Sequence, residues 1–184
     1  MKFIPQFIPD ILLIEPIVHS DKRGYFLETF KQDLLDKALG YKVNFIQDNE
    51  SNSTSKGVLR GLHFQLPPFS QNKLVRVIKG KILDVAVDIR RNSPTFGKYV
   101  SVELSSKNKK QLFIPVGFAH GFIVLSEGAI FAYKVDAYYS AEHEGGIAYN
   151  DKDIDINWPF LEKEIILSKA DKSYPNLSDV KKIF

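Results

Sequence analysis

A chain of 184 residues with 44% hydrophobic content is long enough for one substantial core, and no composition shift divides it, so a single domain over residues 1–184 is expected. With no cysteine there is no disulfide framework, no thiolate metal site and no cysteine nucleophile, which fits a reducing cytoplasm. The 25 basic and 22 acidic residues are interspersed, and their net charge of +3 is too balanced to imply nucleic-acid binding.

The N-terminal residues 1–10 lack the apolar stretch and small-residue cleavage site of a secretory signal. No run approaches the ~18 apolar residues of a membrane span, so a soluble protein without membrane partners is expected. β-rich blocks then follow in order at residues 11–18 and 25–30. A helix is predicted over 31–39, with Leu34, Leu35 and Leu39 on one side and Gly40 as its stop. Further strands are predicted at 43–47, 58–64, 74–78, 82–88, 99–104, 111–114, 121–125 and 129–135, separated by turn chemistry such as Lys79-Gly80-Lys81 and Asn92-Ser93-Pro94. The stretch from Asn150 is richer in Asp, Lys and Pro and is expected to wrap the barrel as loops and short turns. Many short strands at close spacing mean an all-β sandwich or barrel.

Two histidines sit in strand contexts that suggest a barrel interior. Strict alternation puts Leu59, Gly61 and His63 on one face of their strand, and Arg60, Leu62 and Phe64 on the other. His120 ends Pro115-Val116-Gly117-Phe118-Ala119-His120, and this Pro-x-Gly-x-x-His pattern resembles the second motif of the cupin superfamily, in which the histidine binds metal. The first motif of that superfamily would supply a second histidine where this chain has Gln65, and a glutamate where it has Lys73. The asparagine usual after the second motif is Val124. An ammonium and at most two imidazoles would repel a divalent cation, so a cupin barrel emptied of metal is expected. Inverting a carbon beside a ketone needs a base, a cation to hold the enolate, and an acid on the opposite face. His63 would be the base and Lys73 the enolate partner, with a tyrosine as acid and an acidic residue orienting the His63 ring.

Nearly the whole chain resembles the dTDP-4-dehydrorhamnose 3,5-epimerase family. The likeness is carried by Asp21-x-Arg23-Gly24-x-Phe26-x-Glu28, Gln47-Asp48-Asn49, residues 57–65, Lys73-Leu74-Val75-Arg76-Val77 and residues 84–90. It continues through Ser93-Pro94-Thr95-Phe96-Gly97, residues 114–122 and Trp158-Pro159. The resemblance implies a cupin-type double-stranded β-helix, a jelly-roll barrel with few short helices. It implies an isomerase without cofactor or metal that inverts carbons 3 and 5 of dTDP-4-dehydro-6-deoxy-D-glucose to give dTDP-4-dehydro-L-rhamnose. By position it makes His63 the base with Asp171 as its partner, Lys73 the enolate stabiliser and Tyr133 the proton donor. Arg23, Phe26, Glu28, Gln47, Asn49, Arg60, His120, Tyr138 and Glu144 match positions lining the nucleotide-sugar site, where arginines meet the diphosphate and an aromatic ring stacks on the base. In the family Arg23 reaches the neighbouring subunit's site, which implies a homodimer. The family ends Leu-Ser-x-Lys-Asp, whereas this chain reads Leu167-Ser168-Lys169-Ala170-Asp171. The aspartate keeps its place, while Lys169, the expected phosphate contact, is displaced by one residue.

Other readings compete for the same residues. His120 fits either a substrate contact or a side chain that shapes the pocket, and periodicity does not separate Tyr133 from Tyr138 as the acid. Asp84 and Asp88 share a strand face and are expected to pair with Arg76 or Arg90 in a structural role. His19 and His143 are expected on the surface, and Lys107-Asn108-Lys109-Lys110 in a solvated hairpin turn. The rival functions are a single-carbon epimerase on another dTDP-keto sugar, a metal-dependent cupin oxygenase, and a sugar-binding module without catalysis.

Overall fold

The computed structural model describes residues 1–181 and 183–184. Its strands are β1 (Lys2–Pro5), β2 (Leu12–Glu15), β3 (Val18–Asp21), β4 (Gly24–Leu27), β5 (Gln47–Ser53), β6 (Leu59–Gln65), β7 (Lys73–Lys79), β8 (Lys81–Asp88), β9 (Tyr99–Ser105), β10 (Gln111–Ile114), β11 (Phe118–Val124), β12 (Ala129–Val135) and β13 (Glu144–Gly146). One α-helix, α1 (Gln32–Leu39), and two single-turn 3₁₀ helices complete it. The strands form a six-stranded sheet in the order β1-β2-β10-β7-β12-β5 and a five-stranded sheet in the order β13-β6-β11-β8-β9, while β3 and β4 make a separate hairpin. The pairing between named strands is antiparallel throughout.

The largest apolar cluster lies between the two sheets. Val75, Val77, Leu112, Ile114 and Phe131 meet Ile82, Ala86, Val100, Phe118 and Phe122 there. The intervening residues also lose water, because each sheet is covered on its outer face. Leu12, Ile14, Leu74 and Phe113 pack against Leu35 of α1, and Leu62, Phe64, Val85 and Val87 pack against Ile147, Ile154, Ile156 and Leu177 of the C-terminal stretch. Coverage on both faces explains why β10 and β11 read as unbroken buried runs instead of alternating ones.

The helix starts one residue later than expected and stops at Gly40, whose φ of 78° is the left-handed conformation glycine tolerates. The C-terminal stretch wraps the five-stranded sheet in turns, as expected. The expected block 11–18 breaks at Pro16 and Ile17 between β2 and β3, the block 25–30 is strand only as far as Leu27, and two further expectations fail outright. Residues 43–47 are not a strand: Val43 is a plug under α1, and strand pairing begins only at Gln47. The strand that follows, Gln-Asp-Asn-Glu-Ser-Asn-Ser, carries no apolar side chain and offers no hydrophobic period. It pairs along its whole length with β12.

The second failure concerns β6. His120 lies opposite His63 and Phe122 opposite Arg60, so β6 advances three residues where β11 advances two. The extra residue, a β-bulge at Gly61, resets the alternation. Leu59, Leu62 and Phe64 therefore point outward into apolar clusters, and Arg60 and His63 both point inward. Only glycine fits the bulge. Its φ is 126°, and a Cβ there would sit 2.5 Å from Gly121 Cα and 2.8 Å from the His120 carbonyl. Gly61→Ala is expected to destabilise the fold by about 2–4 kcal/mol, combining backbone strain with overpacking. Urea denaturation followed by circular dichroism checks this; an unchanged midpoint would refute the close approach.

Candidate active site

The inward face of β6 and the neighbouring strands enclose a cavity of about 330 Å³. His63, Arg60 and His120 enter from the five-stranded sheet, and Lys73, Tyr133 and Ser51 from the six-stranded one. Glu144 and the loop bearing Ser168, Ala170 and Asp171 close its rim.

His63 Nε2 lies 2.6 Å from Asp171 Oδ1 across 108 positions of sequence. Burial pushes the Asp171 carboxyl up, but hydrogen bonds from the His63 ring, the Ser168 hydroxyl and the Gly61 backbone outweigh it, and its pKa falls below the usual carboxylate value. Ser168 Oγ donates to Asp171 Oδ2 at 2.7 Å and accepts from the Asp171 backbone N–H at 3.1 Å, which fixes the carboxylate. An ionised carboxylate can only accept, so His63 Nε2 carries the proton and the ring's lone pair lies on Nδ1. The His63 ring also meets Tyr174 edge to face at 5.5 Å.

A second pair lies beneath. His120 Nε2 is 3.0 Å from both oxygens of Asp84, and both side chains are buried. Burial lowers the His120 pKa against the pull of Asp84, with Lys73 and His63 lowering it further. Asp88 pairs with Arg90 at 2.8 Å as expected, but Asp84 does not pair with an arginine. The even residues of β8 point between the sheets, so Asp84 sits buried behind His120, which lines the cavity, beyond the structural role expected for it. Burial lowers the Lys73 ammonium to about 8, with the negative charges of Asp84 and Glu144 opposing that shift. Tyr133 is pushed up by burial and by Glu144, against Arg60, and so keeps its proton at neutral pH.

Of the sequence-expected residues, the cavity thus gathers His63, Asp171, Lys73, Tyr133, Arg60, His120 and Glu144. Tyr138 is 62% exposed and outside the wall, which separates it from Tyr133. Lys169 is exposed, while its neighbours Ser168 and Ala170 form the rim. Gln47 and Asn49 bond each other at 2.8 Å on β5. Asn49 lines a second depression of about 300 Å³ with Phe30, Arg76 and Lys134, which shares Tyr133 with the first. Arg23, Phe26 and Glu28 stand exposed on or beside the β3–β4 hairpin, away from His63, with Arg23 held by Asp21 at 2.6 Å. His19 is exposed as expected, while His143 is half-buried and bonds Ser140. Ser51, Phe122, Phe131, Ser168 and Tyr174 also line the cavity. No sequence pattern singled them out, Ser51 included, because the residues of β5 are all polar.

The positions that would bind metal in a cupin do not fit one. The Gln65 amide donates to the carbonyls of Phe69 and Tyr138 and accepts from the Ser140 N–H, Val124 is core, and Lys73 is a cation. Among the described residues no three His, Cys, Asp or Glu side chains converge as a metal-binding group, and no helix is long and apolar enough to cross a membrane.

Two antiparallel sheets face to face, with a histidine–aspartate pair, a lysine and a tyrosine opening into the space between them, define a cupin-type barrel equipped for proton transfer. The dTDP-4-dehydrorhamnose 3,5-epimerase family model matches residues 5–179. The chain is 57% identical over 159 residues, 86% of its length and 87% of the relative's, to the dTDP-4-dehydrorhamnose 3,5-epimerase of Shigella flexneri. The crystal structure of that enzyme from Elizabethkingia anophelis NUHP1 superposes with a TM-score of 0.94 at 46% identity, covering 99% of both chains. The dTDP-6-deoxy-D-glucose-3,5-epimerase of Legionella pneumophila Philadelphia 1, crystallised in complex with dTDP-4-keto-L-rhamnose, superposes with a TM-score of 0.93 at 47% identity over 98% of this chain and 94% of that one. The chain belongs to the dTDP-4-dehydrorhamnose 3,5-epimerase family and is an isomerase of that kind.

The charge state of Lys73 yields a prediction. Its side chain should titrate near 8 in lysine-selective NMR, and Asp84→Asn should lower the midpoint further by removing a favourable negative charge. Because the folded value lies below that of a free lysine, the unfolded chain holds the extra proton. The cost to stability is therefore full below pH 8 and lifts as pH rises towards 10.5. A midpoint above 10 would refute the burial of the ammonium.

Proposed function

We propose that the chain, as one domain over residues 1–184, works in the cytoplasm on dTDP-4-dehydro-6-deoxy-D-glucose. It inverts carbons 3 and 5 to give dTDP-4-dehydro-L-rhamnose. The observation that carries the reading is the placement of base and acid on opposite sheets of one cavity. His63, held by Asp171, enters from one side, and Tyr133 enters from the other with Lys73 beside it on the same sheet.

The carbon 4 ketone acidifies the protons at carbons 3 and 5. His63 Nδ1 takes one, the imidazolium is stabilised by Asp171, and the charge moves to oxygen 4 as an enolate that the Lys73 ammonium holds. Tyr133 then delivers its proton to the same carbon from the opposite face, and the configuration inverts. Exchange with water restores His63 and Tyr133 for the second carbon. Arg60, anchored at 3.1 Å to Ser53 Oγ, is placed to meet the diphosphate. Glu144 and His120 complete the wall, and the exposed Tyr138 and Lys169 are assigned to the part of the substrate that extends outward.

In heavy water, dTDP-4-keto-6-deoxyglucose followed by NMR should gain one deuterium at each of carbons 3 and 5. Exchange at a single carbon would make the protein a mono-epimerase, and no exchange would leave a sugar-binding module. Asp171→Asn keeps the shape but removes the carboxylate charge and turns one acceptor oxygen into an NH2 donor, so the His63 tautomer is no longer fixed, and kcat should fall by roughly 10²–10⁴-fold with little change in KM.

The exposed hairpin supports a homodimer in which Arg23, Phe26 and Glu28 of one protomer complete the site of its partner, with Gln47 and Asn49 nearby. Arg23→Ala and His63→Asn variants, each impaired alone, should complement when mixed. Each heterodimer has one intact site, so equimolar mixing should restore up to about a quarter of wild-type activity by mass action of random pairing. Absence of any recovery in subunits shown to exchange would count against the shared site.

A further inference from the structure

Among the described residues, the cavity wall holds one solvent-shielded hydroxyl without a hydrogen-bond partner. On β5 the residues Gln47, Asn49, Ser51 and Ser53 face the same way. Gln47 and Asn49 bond each other, and Ser53 Oγ accepts from Arg60. Ser51 Oγ is shielded from solvent and has no hydrogen-bond partner, yet Ser51 lines the cavity with His63, Lys73 and Tyr133. Its cross-strand partner is Phe131, and Asn49 two residues along is the partner of Tyr133, so Ser51 sits diagonally from the proton donor. Phe131 packs on Phe122 with ring centroids 4.3 Å apart, so the hydroxyl is the polar atom of an otherwise aromatic stretch of wall. A shielded hydroxyl without a partner is a cost to the free fold, and a bound oxygen in that cavity would remove it.

On the reading of the reaction above, we infer that Ser51 is a specificity residue whose hydroxyl pairs with one of the two ring hydroxyls of the 4-keto hexose, at carbon 2 or carbon 3. A fixed neutral partner on the Tyr133 side registers the ring against the acid, and a site that pairs a hydroxyl rejects sugars lacking it.

Exchange of the carbon 5 proton in heavy water is a readout available to the parent sugar and to its 2-deoxy and 3-deoxy analogues alike. Ser51→Ala should reduce kcat/KM for that exchange on the parent about tenfold, the effect of one hydrogen bond. The penalty should vanish on whichever analogue lacks the paired hydroxyl and persist on the other. The melting temperature should be unchanged or higher, because the hydroxyl has no partner to lose in the free protein. Wild-type kinetics on the parent, an equal penalty on both analogues, or a lowered melting temperature would each overturn the assignment. If the wild type exchanged neither carbon, the reading of the reaction would fail instead. Calorimetric Kd values for the same three sugars with wild type and Ser51→Ala would then decide the serine's role by the same pattern.

Discussion

Where β6 and β11 pair at Gly61 and Gly121, the two backbones leave no room for a side chain on either strand. A Cβ on Gly61 would sit 2.5 Å from Gly121 Cα, and one on Gly121 would sit 2.7 Å from the Arg60 carbonyl. With neither strand carrying a side chain there, β6 can insert its extra residue and stay paired. The insertion turns Arg60 to the same side as His63. Without it, alternation would leave one of the two in the apolar layer beneath the C-terminal stretch, where an unpaired guanidinium or imidazole would be costly.

The same pairing sets the electrostatics. Two histidine–aspartate pairs converge on one lysine, and they behave differently because their burial differs. Asp171 is braced by Ser168 and by the Gly61 backbone and holds a histidine that still reaches open space. Asp84 and His120 are both out of solvent, where the pair acts on Lys73: the carboxylate supports its charge against burial. On the proposed reaction, base, acid and cation are thereby kept in the states that enolate chemistry near neutral pH requires, with His63 oriented, Tyr133 protonated and Lys73 charged.

Much of this was legible in the chain. Apolar periodicity placed most strands of both sheets to within a few residues and gave α1 with its glycine stop. Gln65, at a position where a cupin carries a metal-binding histidine, bonds only to backbone. The histidine at 63 and the aspartate at 171 could be named from family motifs. β5 was not legible, because its seven residues are all polar and its strand state is imposed by pairing with β12. Asp84 was read as structural because a strand pattern says which face a carboxylate takes but not what stands opposite.

The sequence by itself determined the fold class, the family, and the chemical types at the site, because these depend on local periodicity and on residue identity at matched positions. Only the tertiary structure decided which of those groups meet. The 2.6 Å bond from His63 to Asp171 spans 108 positions, the bulge at Gly61 reverses a side chain that alternation had placed outside, and Tyr133 but not Tyr138 enters the cavity. Each is settled by how strands register across the barrel, a long-range property that no local pattern encodes.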